Sequence, residues 1–408
     1  MYLLKGGLFM YCVRKVKDDL YWVGGNDRHI TLFENIHPVP RGISYNSYIL
    51  LDEKNILLDT VDWSIASQFI QNIEEVLKDK ELDYMIVNHV EPDHSGCIEE
   101  IINRYPNIKI ICTQKAHMFM EQFGFCINDK IIEVKDGDEM SFGKHKLRFL
   151  TAPMVHWPEA MVTYDTINGV LFSADAFGTF ISLDGKLFND EINFEKEWID
   201  EARRYYANIV GKYGINVQTL LKKVSNLDVK CICPLHGPVW HNNLNYFIDK
   251  YDKWSKYEAE EKGVLIAYGT MYGNTESAAN CLATKLVEKG INNIVMYDVS
   301  RTHVSYLISE TFKYSHIVLA CATYNLNIYP PMLNYLLDMK ELNLQKRTFG
   351  IIENGTWASK AGKLMRDLLN EMKDMVVLDE DVSLKTVLKQ EEVNCIEKLA
   401  DSIISSMN

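Results

Sequence analysis

The chain has nine cysteines but no Cys-x-x-Cys pair. That absence speaks against a tetrathiolate metal site and for reduced thiols rather than a disulfide frame. Cys231 and Cys233, two apart on an expected strand, read as small buried residues. No basic block is present and the formal charge is -13, so nothing is available to neutralise a run of phosphates and nucleic acid is excluded as a partner. No segment is long and apolar enough to span a membrane, and the start, Met1 to Met10, is interrupted by a lysine and glycines and lacks a cleavage signal. The expectation is a cytoplasmic protein without a membrane partner. Internal repeats and low-complexity tracts are also missing. A hydrophobic content of 47% over 408 residues supports two or three domains, each with its own core.

The densest chemistry stands in His89-Val90-Glu91-Pro92-Asp93-His94, where two imidazoles and two carboxylates crowd one loop. The apolar run Tyr84 to Val87 reads as a buried strand, and a helix opens near Cys97. Strand alternation would let His89 and Glu91 point the same way. Three more segments repeat the pattern of apolar strand followed by donor: Leu147 to Val155 leads to His156, Val170 to Ala174 to Asp175, and Val229 to Leu235 to His236. A carboxylate such as Asp175 can bridge two cations. Mixed imidazole and carboxylate ligation without thiolate suits iron or manganese better than structural zinc.

Near residue 260 the chain changes character. The charged stretch Lys250 to Lys262 precedes a clean strand, Val264 to Tyr268, which places a boundary between domains 1–260 and 261–408. Upstream, short strands and helices around residues 65–78 and 99–104 fit an αβ/βα sandwich. Downstream, strands and helices alternate, as in a doubly wound parallel sheet.

Three loops of the downstream domain converge on one chemistry. Thr270-Met271-Tyr272-Gly273-Asn274-Thr275 offers amides and hydroxyls to a phosphate at a helix N-terminus. It lacks the Gly-Lys-Ser/Thr ending of a nucleoside triphosphate loop. Ala322-Thr323-Tyr324-Asn325, with Asn327, and Asn354-Gly355-Thr356-Trp357-Ala358 follow the third and fourth strands. A flavodoxin-like order brings the first and third strands together at the switch point where FMN binds, with Tyr324 and Trp357 placed to flank a flat ring.

Taken in order, His89-x-Glu91-x-Asp93-His94, Ala152 to Pro158, Phe172 to Gly178 and Cys233 to Pro238 resemble the flavodiiron proteins, also called A-type flavoproteins, and the loop Thr270 to Thr275 resembles their flavodoxin half. The resemblance covers about the whole chain. It implies a metallo-β-lactamase-like diiron domain followed by a flavodoxin-like FMN domain. It assigns one iron to His89, Glu91 and His156, the other to Asp93, His94 and His236, with Asp175 bridging. Thr356 departs from the glycine that many relatives carry there, which bears on backbone contacts to the flavin. The implied reaction takes dioxygen to water, nitric oxide to nitrous oxide, or both. The implied donor is separate, a rubredoxin or a reduced deazaflavin, and the implied assembly is a head-to-tail homodimer or a dimer of dimers. Relatives begin near the position of Met10, so residues 1–9 are expected to be an extension. The alternative from another chemical class is a zinc-dependent hydrolase of the metallo-β-lactamase fold fused to a flavin module; Glu91 and the three loops oppose it.

Overall fold

The computed structural model describes residues 11–127 and 129–407, so the expected extension at 1–9 lies outside the described residues. Two compact units emerge. One runs to Tyr205 and takes in Ile215–Asp249; the other holds Tyr206–Gly214 and Lys250–Asn408. The division therefore falls within the helix Leu244–Ser255, at the start of the charged stretch rather than at its end near 260. Aromatic packing explains the shift. The Tyr206 ring lies 4.9 Å from Tyr251, 5.2 Å from Trp254 and 6.1 Å from Phe312, which draws residues 206–214 and the end of that helix into the second unit.

In the first unit, seven strands run in the order Arg14–Lys15, Leu20–Trp22, Tyr48–Leu50, Ile56–Leu58, Tyr84–Ile86, Lys109–Thr113 and Ile131–Val134. Pairing is antiparallel as far as Ile56–Leu58 and parallel beyond it. A second sheet holds Glu139–Ser141, Lys146–Thr151, Met161–Asp165, Val170–Phe172 and Cys231–Cys233, the last two parallel. Tyr48 of the first sheet meets Phe172 of the second with ring centroids 5.6 Å apart, so the sheets share a core. The helix Ala66–Leu77 buries Phe69, Ile70, Ile73 and Leu77, the one-sided spacing of an amphipathic helix laid on a sheet. This is the expected sandwich. The helices Gln114–Gln122, Ile199–Tyr205 and Gly214–Val224 were not anticipated from the sequence.

The second unit is a parallel sheet in the order Ile294–Asp298, Glu261–Gly269, Tyr314–Tyr324, Thr348–Asn354 and Val376–Val377. Val382–Leu384 also pairs with Thr348–Asn354, so the fifth strand is split. Val264, Ile266, Val318, Ala320 and Ile352 pack with helix residues Ala278, Leu282, Leu399 and Ile403 in one apolar core. Counted along the chain the order is two-one-three-four-five, and it reverses between Glu261–Gly269 and Tyr314–Tyr324, the crevice where such sheets bind ligands.

His316 gives this unit a pH dependence. Its ring is buried between Ser315 Oγ at 2.8 Å and Ser406 Oγ at 3.1 Å, and burial, reinforced by Lys262, pushes the imidazole down from 6.5 to about 4. The unfolded chain therefore accepts a proton that the folded unit refuses, so stability is full above about pH 6.5 and declines as pH falls toward 4. His316→Gln is expected to flatten this decline in urea-unfolding midpoints recorded across the window. A mutant slope equal to wild type would show that the dependence originates elsewhere.

Candidate functional site

Each donor leaves the end of a strand, but the route differs from simple alternation. The strand before His89 stops at Ile86. Beyond it the backbone is held by Asp59, whose Oδ1 accepts from Asn88 N at 2.7 Å and His89 N at 3.3 Å, while Oδ2 accepts from Asn88 Nδ2 at 2.7 Å. Pro92 then opens the four-residue helix Pro92–Ser95, which carries Asp93 and His94 on a single turn. Ala174, at φ 50°, turns the chain so that Asp175 points away from its strand direction. Asp175 and His236 become neighbours because the strands that deliver them, Val170–Phe172 and Cys231–Cys233, pair in parallel.

The seven side chains meet in two groups that share Asp175. In the first, Glu91 Oε2 lies 3.2 Å from His89 Nε2 and 2.9 Å from His156 Nε2, and Asp175 Oδ2 lies 3.2 Å from each of the same two nitrogens. In the second, Asp93 Oδ2 lies 3.3 Å from both His94 Nε2 and His236 Nε2, and Asp175 Oδ1 lies 3.1 Å and 3.5 Å from them. Donor atoms around a first-row metal at about 2.1 Å are separated by roughly 3.0–3.4 Å, so both groups have the spacing of a coordination shell. Each group offers two imidazoles, one terminal carboxylate and one oxygen of Asp175.

The local chemistry fits metal ions. Both oxygens of Asp93, Oδ2 of Asp175, Nδ1 of His94 and Nε2 of His236 are buried without a hydrogen bond among the described residues. Buried polar atoms without partners are costly, and a cation removes that cost for the atoms aimed at it. Burial alone would push Asp175 up and His89 down. His94, His156 and His89 instead hold the Asp175 carboxyl well below its usual range, and Asp175, Glu159 and Glu91 hold the His89 imidazole well above its own.

Aromatic rings wall the site. Phe33, Tyr45 and Tyr205 lie 5.4, 5.7 and 5.4 Å from the His236 ring, and Trp157 lies edge-on to His89 at 5.4 Å. Phe177 packs edge-on against Phe247 with ring centroids 5.7 Å apart. Sequence reasoning did not find Asp59 or Glu159, which hold the His89 segment, or Ser44, whose carbonyl accepts from His236 Nδ1 at 2.8 Å.

In the second unit the three loops line a cleft of about 330 Å³. It brings together Thr270, Met271, Tyr272, Asn274 and Thr275 of the first loop, Ala322, Thr323, Tyr324 and Asn325 of the second, and Asn354, Gly355, Thr356, Trp357 and Ala358 of the third. Gly273 is not in the lining; at φ 87° it caps the helix Asn274–Glu288 from its N-terminus. Asn327 is drawn away by pairing with Tyr324. Leu326 and Thr386 join the cleft unannounced. Thr386 N donates to Asn354 Oδ1 at 3.0 Å and its hydroxyl to Thr356 Oγ1 at 3.0 Å, so the threonine at the departing position ties two loops together.

Known proteins agree with both halves. A family model described as ODP family beta lactamase matches residues 43–237, and a flavodoxin model matches residues 266–389. An uncharacterised protein of Methanocaldococcus jannaschii is 33% identical over 393 residues, covering 95% of this chain and 98% of its own. The anaerobic nitric oxide reductase flavorubredoxin of Salmonella paratyphi B is 32% identical over 357 residues, 85% of this chain and 73% of that one. The rubredoxin oxygen:oxidoreductase of the anaerobe Desulfovibrio gigas superposes with a TM-score of 0.90 at 26% identity, over 97% of this chain and 98% of that one. With these relatives, a sandwich presenting two metal-spaced donor groups and a flavodoxin sheet with a cleft at its switch point, the chain belongs to the flavodiiron protein family, oxidoreductases that join an FMN-binding flavodoxin domain to a diiron site in a metallo-β-lactamase-like domain.

Proposed function

We propose that His89, Glu91, His156 and Asp175 hold one iron, that Asp93, His94, His236 and Asp175 hold the other, and that the protein reduces dioxygen to water, nitric oxide to nitrous oxide, or both. The observation that carries this reading is Asp175, whose two oxygens face different imidazole pairs at 3.1–3.5 Å. When bound, FMN and the iron pair supply two electrons each, which matches the four that dioxygen needs and exceeds the two needed by a pair of nitric oxide molecules.

The chain's own residues set the conditions. Phe33, Tyr205 and Trp157 surround the donors with apolar rings, which favours a small neutral diatomic over a hydrated ion. Burial, reinforced by Asp93, keeps the Tyr45 phenol protonated far above its usual range, so this wall offers an O–H and never a charge. In the cleft, the first-turn amides of the helix Asn274–Glu288 face the position suited to a phosphate, and Tyr324 and Trp357 offer ring faces to the isoalloxazine.

The assembly proposed is a head-to-tail homodimer or a dimer of dimers, which seats the flavin of one protomer beside the irons of its partner. Exposed aromatic and apolar residues support it: Tyr272 and Trp357 at the rim of the cleft are 91% and 88% exposed, and Trp63 and Ile36 of the metal-bearing unit are 62% and 57% exposed. A separate donor, a rubredoxin or a reduced deazaflavin, completes the electron path. The Desulfovibrio gigas relative is named for oxygen reduction with rubredoxin and the Salmonella relative for nitric oxide, which supports both gases. Among the described residues no helix is long and apolar enough to cross a membrane.

Anaerobically purified protein is expected to contain two irons and one FMN per chain. After chemical reduction it is expected to consume each gas without releasing peroxide. Zinc in place of iron, together with ester or thioester cleavage, would establish the hydrolase alternative instead.

A further inference from the structure

The two donor groups are matched in their inner layer. Each has two imidazoles, one terminal carboxylate and one oxygen of Asp175, and each spans similar separations. The difference lies behind the imidazoles. His89 Nδ1 is 2.6 Å from Glu159 Oε1, and both side chains are fully buried. The same carboxylate oxygen accepts from Val90 N at 3.0 Å, and Glu159 O accepts from Thr113 Oγ1 at 3.0 Å, which fastens the residue to the strand Lys109–Thr113. In the other group, His236 Nδ1 meets the neutral carbonyl of Ser44 at 2.8 Å, and His94 Nδ1 is buried without a hydrogen bond among the described residues. Glu159 Oε2 is likewise buried without a hydrogen bond among the described residues.

We propose that Glu159 is a positioning residue that makes the two metal positions unequal, and that it causes the iron on His89 to be oxidised before the iron on His236. Two effects combine. The carboxylate holds the ring proton on Nδ1, which leaves the Nε2 lone pair for a cation between His89, Glu91 and Asp175. Its negative charge, lodged in a low-dielectric interior directly behind the His89 ring, would stabilise the more positive oxidation state of a metal held there. In an iron-loaded chain one electron would pass to an external mediator, the position held by His89, Glu91 and His156 would give it up first, and no bond would be made or broken. This inference rests on the proposed assignment of the ligands.

The test is a mediated redox titration of the iron-loaded full chain, with Mössbauer spectra of the half-oxidised form. Wild type is expected to show two separated one-electron steps and a single ferric environment at half oxidation. Glu159→Gln keeps a carbonyl acceptor but removes the charge. Its first step is expected to move to more positive potential and close on the second, the ferric signal to divide between two environments, and iron affinity at that position to fall about 10- to 100-fold. Glu159→Asp is expected to recover most of the wild-type separation. If the glutamine variant does not fold, Glu159→Asp against Glu159→Asn, equal in length and different in charge, carries the comparison. Unchanged steps and spectra in either charge-removing variant would overturn the role of Glu159. A wild-type chain that takes up no iron pair would instead overturn the ligand assignment beneath it.

Discussion

Asp175→Ala is expected to abolish iron binding and gas consumption together while leaving FMN in place. The other six donors belong to one group or the other, whereas Asp175 faces both, its Oδ2 toward His89 and His156 and its Oδ1 toward His94 and His236. Under the proposed assignment its loss would cost each metal a ligand and cost the pair its bridge. Removal of an outer-shell partner weakens metal affinity about 10- to 100-fold, so removal of a shared ligand is expected to exceed that at both positions. Iron per chain, measured after anaerobic loading and desalting, should fall from two toward none. Because the FMN cleft belongs to the other compact unit, flavin absorbance should match wild type. A variant that retains both irons would show that Asp175 is not the bridge, whatever its effect on turnover.

Much of this site was legible because the donors recur after apolar runs, and an apolar run followed by a polar residue marks a strand emerging from a core. His156, Asp175 and His236 were found that way. His89 and Glu91 stand out by the density of donors in their loop, but strand alternation does not account for their shared direction, because the strand stops at Ile86. They converge because Asp59 bends the backbone past Ile86, and an aspartate thirty positions upstream gives no local sign that it will accept those amides. Glu159 was hidden in the same manner, since its meaning comes from a histidine seventy residues away. In the second unit, glycines and small polar residues after each strand marked the loops, but they did not reveal which side chains turn inward. Asn327 is diverted by a two-residue pairing, and Thr386 arrives only because the fifth strand breaks into Val376–Val377 and Val382–Leu384. The parallel order was readable from alternation. The boundary near Asp249 was not, because the aromatic contacts of Tyr206 that draw the helix end across it are tertiary.

The largest stability effect is expected at Arg347, which immediately precedes the strand Thr348–Asn354 that leads to Trp357. Its side chain is fully buried and its hydrogen bonds go to carbonyls: Nε to Thr311 O at 2.7 Å, Nη2 to Phe312 O at 2.9 Å and Nη1 to Tyr257 O at 2.7 Å. Thr311 and Phe312 stand in the last turn of the helix Val304–Lys313, where unpaired carbonyls concentrate negative charge and favour a cation. Burial pushes the guanidinium down to about 10, which leaves it charged at neutral pH. Arg347→Leu keeps much of the volume but leaves these carbonyls without donors, at about 1–3 kcal/mol for each that finds no water. A total loss of about 3–5 kcal/mol would lower the melting temperature of this unit by roughly 10 °C or more. The strand beginning beside Arg347 also carries Asn354 and Gly355 to the cleft, so FMN fluorescence should appear during heating at the same lowered temperature. A variant that melts within about 2 °C of wild type would mean that water or a local shift satisfies the carbonyls, and that Arg347 is not what fastens the helix Val304–Lys313 to this edge of the flavin domain.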